Sequence, residues 1–140
     1  MKHNESVARI MSKNPTTVHT ANKMSEVRGL LTENSHIHHL PVVSGKKVVG
    51  MISSSDLLRL SYGGFGNEDT AGWDAMLDHQ YKIEEVMQKD VATLDIHKSV
   101  RDAAQLLSEG RFHALPITDG GELVGIVTTT DIMRYLVENL

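Results

Sequence analysis

The sequence contains two copies of one pattern, and this duplication restricts the possible folds more than any other feature. Four segments recur in the same order: residues 7–13 as 83–89, 30–33 as 106–109, 38–42 as 113–117, and 50–56 as 125–131. The offset is 76 for the first two pairs and 75 for the others, because the first copy has one extra residue between positions 34 and 37. Ordered matches of this kind indicate a structural repeat, so we expect two similar halves.

Each copy predicts the same order of elements, β-α-β-β-α, which places the chain in the α/β (α+β) class. Short β-prone stretches at 16–18 and 92–94 precede apolar residues at helical spacing near 27–31 and 103–107. Two strands and a helix follow: strands 38–43 and 48–52 with a helix from 56, then strands 113–118 and 123–127 with a helix over 131–137. Asp119-Gly120 is a strong signal for the second hairpin turn.

Several side chains predict local geometry within these elements. Ser99 and Asp102 predict a capping box at the first helix of the second copy, and Asn22 is the predicted cap in the first copy. Pro41 and Pro116 lack a backbone N–H, which predicts that each lies at a strand edge or bulge.

The duplication divides the chain into repeat one (1–60), a linker insertion (61–82) and repeat two (83–140). Residues 71–80 of the linker predict a short amphipathic helix. Its aromatic residues Tyr62, Phe65 and Trp73 either stack on a ligand ring or cover the edge of a core or dimer interface. We favour the second interpretation.

Composition excludes several classes of function. The net charge is −4 and no run of Lys or Arg forms a basic stripe, which argues against nucleic acid as a partner. The chain has no cysteine, so thiol chemistry is excluded. The N-terminus is polar and no apolar run approaches the roughly 20 residues that cross a bilayer. We therefore expect a cytoplasmic protein without a signal peptide or membrane span.

Each repeat closes with glycine, two apolar residues and Ser/Thr-x-x-Asp at a strand-to-helix junction, giving the pairs Ser53/Asp56 and Thr128/Asp131. One interpretation is a capping box, in which both side chains satisfy free N–H groups of the helix. The other is a ligand site, because a hydroxyl beside helix N–H groups favours an anionic oxygen and a carboxylate can accept two ribose hydroxyls. One residue can do both, so both interpretations stay open.

Two such copies, each with a His-x-Leu-Pro strand, a glycine turn and this closing motif, resemble a tandem pair of CBS repeats, or Bateman module, over about 7–60 and 83–136. The resemblance implies a stand-alone module of the bacterial or archaeal type, with the repeats packed about a pseudo-twofold axis and two clefts between them. It implies that the motif Asp contacts ribose, that the Ser or Thr contacts phosphate, and that the other repeat encloses adenine. By this resemblance one cleft combines Asp131, Thr128, Thr16, Thr17, His38 and His39, and the other combines Asp56, Ser53, Ala92, Thr93, His113 and Ala114.

The two predicted clefts differ at the position after the strand histidine. This position is often Arg in nucleotide-binding relatives, but it is His39 in one copy and Ala114 in the other. His39 binds phosphate well only when protonated, and Ala114 cannot bind it. Polyphosphate binding in the second cleft would therefore need Arg111, Lys46 or Lys47. We expect the cleft with Thr128 and Asp131 to be the better site.

The leading hypothesis is a non-catalytic sensor that needs no cofactor and binds AMP, ADP, ATP or S-adenosylmethionine. Binding would shift the pose of the repeats, or of two modules in a homodimer, and a regulated protein in trans would read that shift. The alternative is an interaction scaffold with unoccupied clefts, in which the motifs are only caps. An enzyme is disfavoured because no nucleophile–base pair or acid pair recurs at a suggestive spacing. In a strand His36 and His38 would project to one face and His39 to the other, so the three could not bind one metal ion without a bend.

Overall fold

The computed structural model describes residues 4–60 and 70–140, and within them it contains seven β-strands and six α-helices. In chain order the elements are β1 (Ser12–Lys13), β2 (Val18–His19), α1 (Met24–Glu33), β3 (His39–Ser44), β4 (Lys47–Ser53), α2 (Ser54–Leu60), α3 (Thr70–Gln80), α4 (Ile83–Val86), β5 (Leu94–Asp95), α5 (Val100–Ser108), β6 (Ala114–Asp119), β7 (Glu122–Thr128) and α6 (Thr129–Asn139). The α/β class and the β-α-β-β-α order of each copy are confirmed.

The chain divides into two compact units. Each combines most of one repeat with the opening segment of the other, which is residues 4–15 for repeat one and 83–90 for repeat two. The first-repeat unit comprises the described residues 16–45, 49–60 and 70–90, and the second-repeat unit comprises the described residues 4–15, 46–48 and 91–140. Val7 is fully buried in the core of the second-repeat unit, and Ile83, its counterpart at an offset of 76, is 1% exposed in the core of the first-repeat unit. The compact units therefore cross the boundaries of the sequence repeats.

In the first-repeat unit, β2 pairs with β3 in parallel and β4 lies next to β3. Its core consists of apolar side chains from strands and helices: Val18, Met24, Val27, Leu31, Leu40, Val42, Ile52, Leu77 and Ile83. Leu77 belongs to α3, and Trp73 of the same helix packs against this core. The helix predicted over 71–80 and the core-edge position predicted for Trp73 are confirmed, whereas Tyr62 and Phe65 lie outside the described residues.

In the second-repeat unit, β6 pairs with β5 in parallel and with β7 in antiparallel orientation, and β7 also pairs with β1. The start of β4 joins β7 at Lys47 and Glu122. The core contains Val7, Leu94, Val100, Ala103, Leu107, Leu115, Ile117, Val127, Ile132 and Tyr135. Glycines with positive φ at 120 and 121 (59° and 85°) form the predicted hairpin turn.

The two strand prolines occupy equivalent positions. Pro116 lies opposite Ile126 on β7, and the pairing of β6 with β5 begins one residue later, at Ile117. Likewise, Pro41 directly precedes Val42, where β3 begins to pair with β2. Among the described strands, each proline thus lies where its strand has a neighbour on one side only, which fits the predicted edge position.

The caps of the two equivalent helices, α1 and α5, differ. The predicted capping box of α5 is confirmed: the Ser99 hydroxyl accepts the Asp102 N–H at 3.1 Å, and the Asp102 carboxylate accepts the Ser99 N–H at 3.0 Å. The backbone N–H of Ser99 and then its hydroxyl hold the pKa of Asp102 below its usual value. The prediction that Asn22 caps α1 is wrong. Lys23 is the N-cap residue, and the Asn22 amide instead donates to Glu26 at 2.8 Å.

Candidate functional site

Asp131 lies in the first turn of α6 and forms a capping box with Thr128. Its Oδ2 accepts hydrogen bonds from the Thr128 N–H at 2.8 Å and from the Thr128 hydroxyl at 3.0 Å, and this hydroxyl accepts the Asp131 N–H at 3.2 Å. Oδ1 accepts a hydrogen bond from Arg134 Nη1 at 3.1 Å. A carboxylate has about four acceptor directions, so one direction of Oδ1 stays available within the described structure. The Asp131 side chain is 11% exposed.

Asp56 repeats this arrangement at the start of α2. Its Oδ2 accepts the Ser53 N–H at 2.8 Å and the Ser53 hydroxyl at 3.1 Å, and its own N–H donates to that hydroxyl at 3.3 Å. Its Oδ1 accepts hydrogen bonds from Arg59 and, at 2.9 Å, from the side-chain amide of Gln88. All four acceptor directions are therefore occupied, and the side chain is 3% exposed.

Both motifs are therefore capping boxes, which confirms that interpretation. The hydroxyl of Ser53 or Thr128 directs its proton to the carboxylate of its own box. It could donate to a phosphate only by giving up that hydrogen bond. The carboxylate of Asp131, in contrast, can accept a further donor without disturbing the cap.

His38 and His113 contact helices α2 and α6 through their backbone carbonyls. The carbonyl of His38 accepts the Ser54 N–H at 3.0 Å, and the carbonyl of His113 accepts the Thr129 N–H at 3.1 Å. Ala114 lies opposite Thr128 in the β6–β7 ladder and is buried. Each unit thus brings its own strand histidine and closing motif together.

The remaining predicted residues lie at or before the strand starts of their own units. Thr16 and Thr17 precede β2, and Ala92 and Thr93 precede β5, so each short strand begins later than the predicted stretch. The side chains of Thr16 and Thr93 are exposed, whereas Thr17 and Ala92 are half-buried. Their assignment to the two clefts stays a prediction.

Two of the basic residues predicted as possible phosphate ligands, Lys46 and Arg111, contact other side chains. Lys46 lies 4.0 Å from Glu122 in an exposed ion pair, which contributes little to stability. The guanidinium of Arg111 lies over the ring of Phe112, 5.3 Å from its centroid. His38 is exposed and His39 is half-buried.

The described residues contain no cluster of three or more His, Asp or Glu side chains suited to hold a metal ion. In this part of the chain, every helix is too short or too polar to cross a membrane.

Gln88 and the two motif arginines were not among the residues predicted from sequence. Arg59 and Arg134 each follow a motif Asp by three residues, a spacing at which side chains meet on a helix. This spacing could have identified them. The role of Gln88 depends on a contact across 32 residues of sequence, which only the folded structure shows.

Comparison with known proteins decides the family. The sequence profile of the CBS domain matches residues 7–63 and 83–138, which is most of the chain. The chain belongs to the CBS-domain family. This CBS pair is similar in structure to the CBS domain pair of protein MJ0100, solved in complex with 5-methylthioadenosine and S-adenosyl-L-methionine, with 29% identity, a TM-score of 0.77, and coverage of 98% of this chain and 99% of that one.

Two further proteins are similar to this CBS pair, one in fold and one in sequence. The fold matches that of CBSX2, solved in complex with AMP, with a TM-score of 0.77 at 24% identity and coverage of 96% and 98% of the two chains. L-aspartate semialdehyde sulfurtransferase of Methanocaldococcus jannaschii is 31% identical over 89% of this chain, which covers 22% of that protein. The chain spans between 22% and 36% of the length of the first curated relatives that it matches.

Proposed function

We propose that this CBS pair is a non-catalytic regulatory module that binds an adenosyl ligand through the carboxylate of Asp131. One observation carries the proposal: Oδ1 of Asp131 keeps an acceptor direction, while its Oδ2 holds the cap of α6. A ribose presents vicinal hydroxyl donors, and carboxylates accept such donors in other nucleotide-binding folds.

The ligands of the similar structures support an adenosyl compound as the ligand class. AMP, 5-methylthioadenosine and S-adenosyl-L-methionine share adenosine and differ in the group at the 5′ carbon. Only AMP among them carries a phosphate. A site centred on ribose recognition by a carboxylate suits all three, whereas a site centred on phosphate suits one. The hydrogen-bonded hydroxyl of Thr128 agrees with the first type of site.

The other residues of the predicted sites remain part of the proposal. Thr16, Thr17, His38 and His39 are proposed to complete the site of Asp131 and Thr128. The homodimer and the regulated protein in trans are proposed on the family resemblance alone. The cytoplasmic location stays an expectation drawn from the sequence. AMP, ADP, ATP and S-adenosylmethionine are the compounds to compare as ligands.

Replacement of Asp131 by asparagine tests the proposal directly. The amide oxygen of asparagine can still accept the cap hydrogen bonds at the Oδ2 position, but its NH₂ then faces Arg134 and the ribose hydroxyls as a donor. We expect Asp131→Asn to weaken AMP or S-adenosylmethionine binding at least tenfold, or by about 1.4 kcal/mol, in isothermal titration calorimetry.

Asp119→Asn is the matched control, because Asp119 is an exposed residue at the end of β6 and its replacement removes the same charge. It should leave the dissociation constant unchanged. An unaltered affinity in a folded Asp131→Asn variant would refute the site. A wild-type protein that binds none of the four compounds would instead support the interaction scaffold with unoccupied clefts.

A further inference from the structure

The carboxylates of Asp56 and Asp131 differ in one hydrogen-bond partner, a side chain from the segment that opens a repeat. In the first-repeat unit, the amide of Gln88 donates to Oδ1 of Asp56 at 2.9 Å. With Arg59 on the same oxygen and Ser53 on the other, this hydrogen bond fills the last acceptor direction of Asp56.

Ser12 holds the equivalent place in the second-repeat unit. It corresponds to Gln88 at an offset of 76, and its backbone pairs with Ile126, as that of Gln88 pairs with Met51. The preceding methionines also match. A Cβ added to Gly125 would meet Met11 Cγ and the Ser12 carbonyl, each at 3.0 Å, and one added to Gly50 would meet Met87 Cγ at 2.9 Å and the Gln88 carbonyl at 3.0 Å.

The backbones are thus equivalent, and the side chains are not. The serine side chain is two atoms shorter in reach than that of glutamine, and the described hydrogen bonds of the Asp131 carboxylate include none from Ser12. Among the described residues, the carboxylate of Asp131 consequently accepts three hydrogen bonds, where that of Asp56 accepts four.

We infer that the side chain of Gln88 occupies the ligand position at Asp56 in the first-repeat unit, so that this chain binds one adenosyl ligand, at Asp131, and not two. This inference rests on the function proposed above. A ribose at Asp56 would have to displace an amide that belongs to the same chain. An intramolecular group competes at a high effective concentration without losing the translational freedom that a free ligand loses. Gln88 is therefore a specificity-determining residue that fixes the stoichiometry.

The test exchanges the two side chains and counts bound ligands. Gln88→Ser copies Ser12 into the first-repeat unit, Ser12→Gln makes the reverse change, and Gln80→Ser is the matched control at an exposed glutamine at the end of α3. Native mass spectrometry counts AMP molecules per chain, and calorimetry with AMP gives each affinity. The same series is run with S-adenosylmethionine.

We expect one ligand per chain for the wild type and for Gln80→Ser, and two for Gln88→Ser. Ser12→Gln should weaken the single site at least tenfold. In the Gln88→Ser background, Asp56→Asn should remove the added site and leave the original one.

Other outcomes would overturn the inference in distinguishable ways. If the wild type binds two ligands, the role of Gln88 is refuted while adenosyl binding stands. The same conclusion follows if the wild type binds one ligand and Asp56→Asn abolishes that binding, whereas Asp131→Asn does not. One ligand on a Gln88→Ser protein with a wild-type circular dichroism spectrum would do the same, and Gln88→Ala replaces that variant if it does not fold. The absence of binding in every protein would refute the proposed function and the inference together.

Discussion

Replacement of Leu77 by alanine is expected to lower the free energy of unfolding by about 2–5 kcal/mol, although this residue lies in the segment that separates the repeats. Leu77 is fully buried and belongs to the core of the first-repeat unit. Truncation to alanine removes apolar contacts and leaves a cavity that the surrounding side chains fill only in part. Urea unfolding followed by circular dichroism measures the loss.

Polar contacts hold α3 in register on α1 and make relaxation around Leu77 difficult. Arg28 donates to Asp74 through Nη2 at 3.0 Å, and Asp78 accepts the N–H and the hydroxyl of Ser25 at 2.8 and 2.7 Å. These contacts keep the two helices close, so the cavity cannot collapse by a simple shift of α3. The loss of stability should therefore be well above the lower end of the range.

Met76→Ala is the control for Leu77→Ala. Met76 precedes Leu77 on α3 and is 37% exposed, so its truncation should cost less than about 1 kcal/mol. Equal losses for the two variants would show that α3 does not dock on the core through Leu77. Such a result would also indicate that residues 70–80 only connect the two repeats.

Replacement of Gly125 by alanine is expected to destabilise the second-repeat unit by about 1–3 kcal/mol, because the new methyl group has no space. Its Cβ would lie 2.5 Å from Sδ of Met11 and 3.0 Å from the carbonyl oxygen of Ser12. Either β1 must move away from β7 or Met11 must leave its place. Thermal and urea unfolding report the change.

A double variant and a helix control make this prediction specific. Met11→Ala removes the clashing sulfur, so Gly125→Ala should cost less in that background than in the wild type. Gly29→Ala makes the same chemical change in α1, where the new Cβ lies 3.8 Å from Glu33 Oε1, and should stabilise by about 0.5–1 kcal/mol. Additive effects of Gly125→Ala and Met11→Ala would contradict the close packing of β1 on β7.

Much of the fold follows from sequence because its signals are local and occur twice. The apolar periodicities and the Asp119-Gly120 turn locate strands β3, β4, β6 and β7 to within one residue of the observed bounds. The Ser99/Asp102 and Thr128/Asp131 boxes form as the spacing predicts, because both partners lie within one helical turn.

The features that sequence reasoning missed depend on contacts between distant segments. The exchange of opening segments places Val7 with the second repeat and Ile83 with the first, and no local pattern encodes that choice. Asn22 has a good capping side chain, but the carboxylate of Glu26 binds its amide and the helix begins at Met24. The difference between Gln88 and Ser12 is visible when the two repeats are aligned. Its consequence is not, because only the folded structure shows that Gln88 contacts Asp56.

The most direct test of the central claim is a titration of ¹⁵N-labelled protein with AMP, followed by amide chemical shifts in two-dimensional NMR. Ligand binding at Asp131 predicts that the amides of Thr128 and Asp131 shift with a common dissociation constant. The amides of Ser53 and Asp56, at the site that Gln88 occupies, should shift little. Large shifts at Ser53 and Asp56 with Thr128 and Asp131 unchanged would contradict the assignment of the adenosyl site to Asp131.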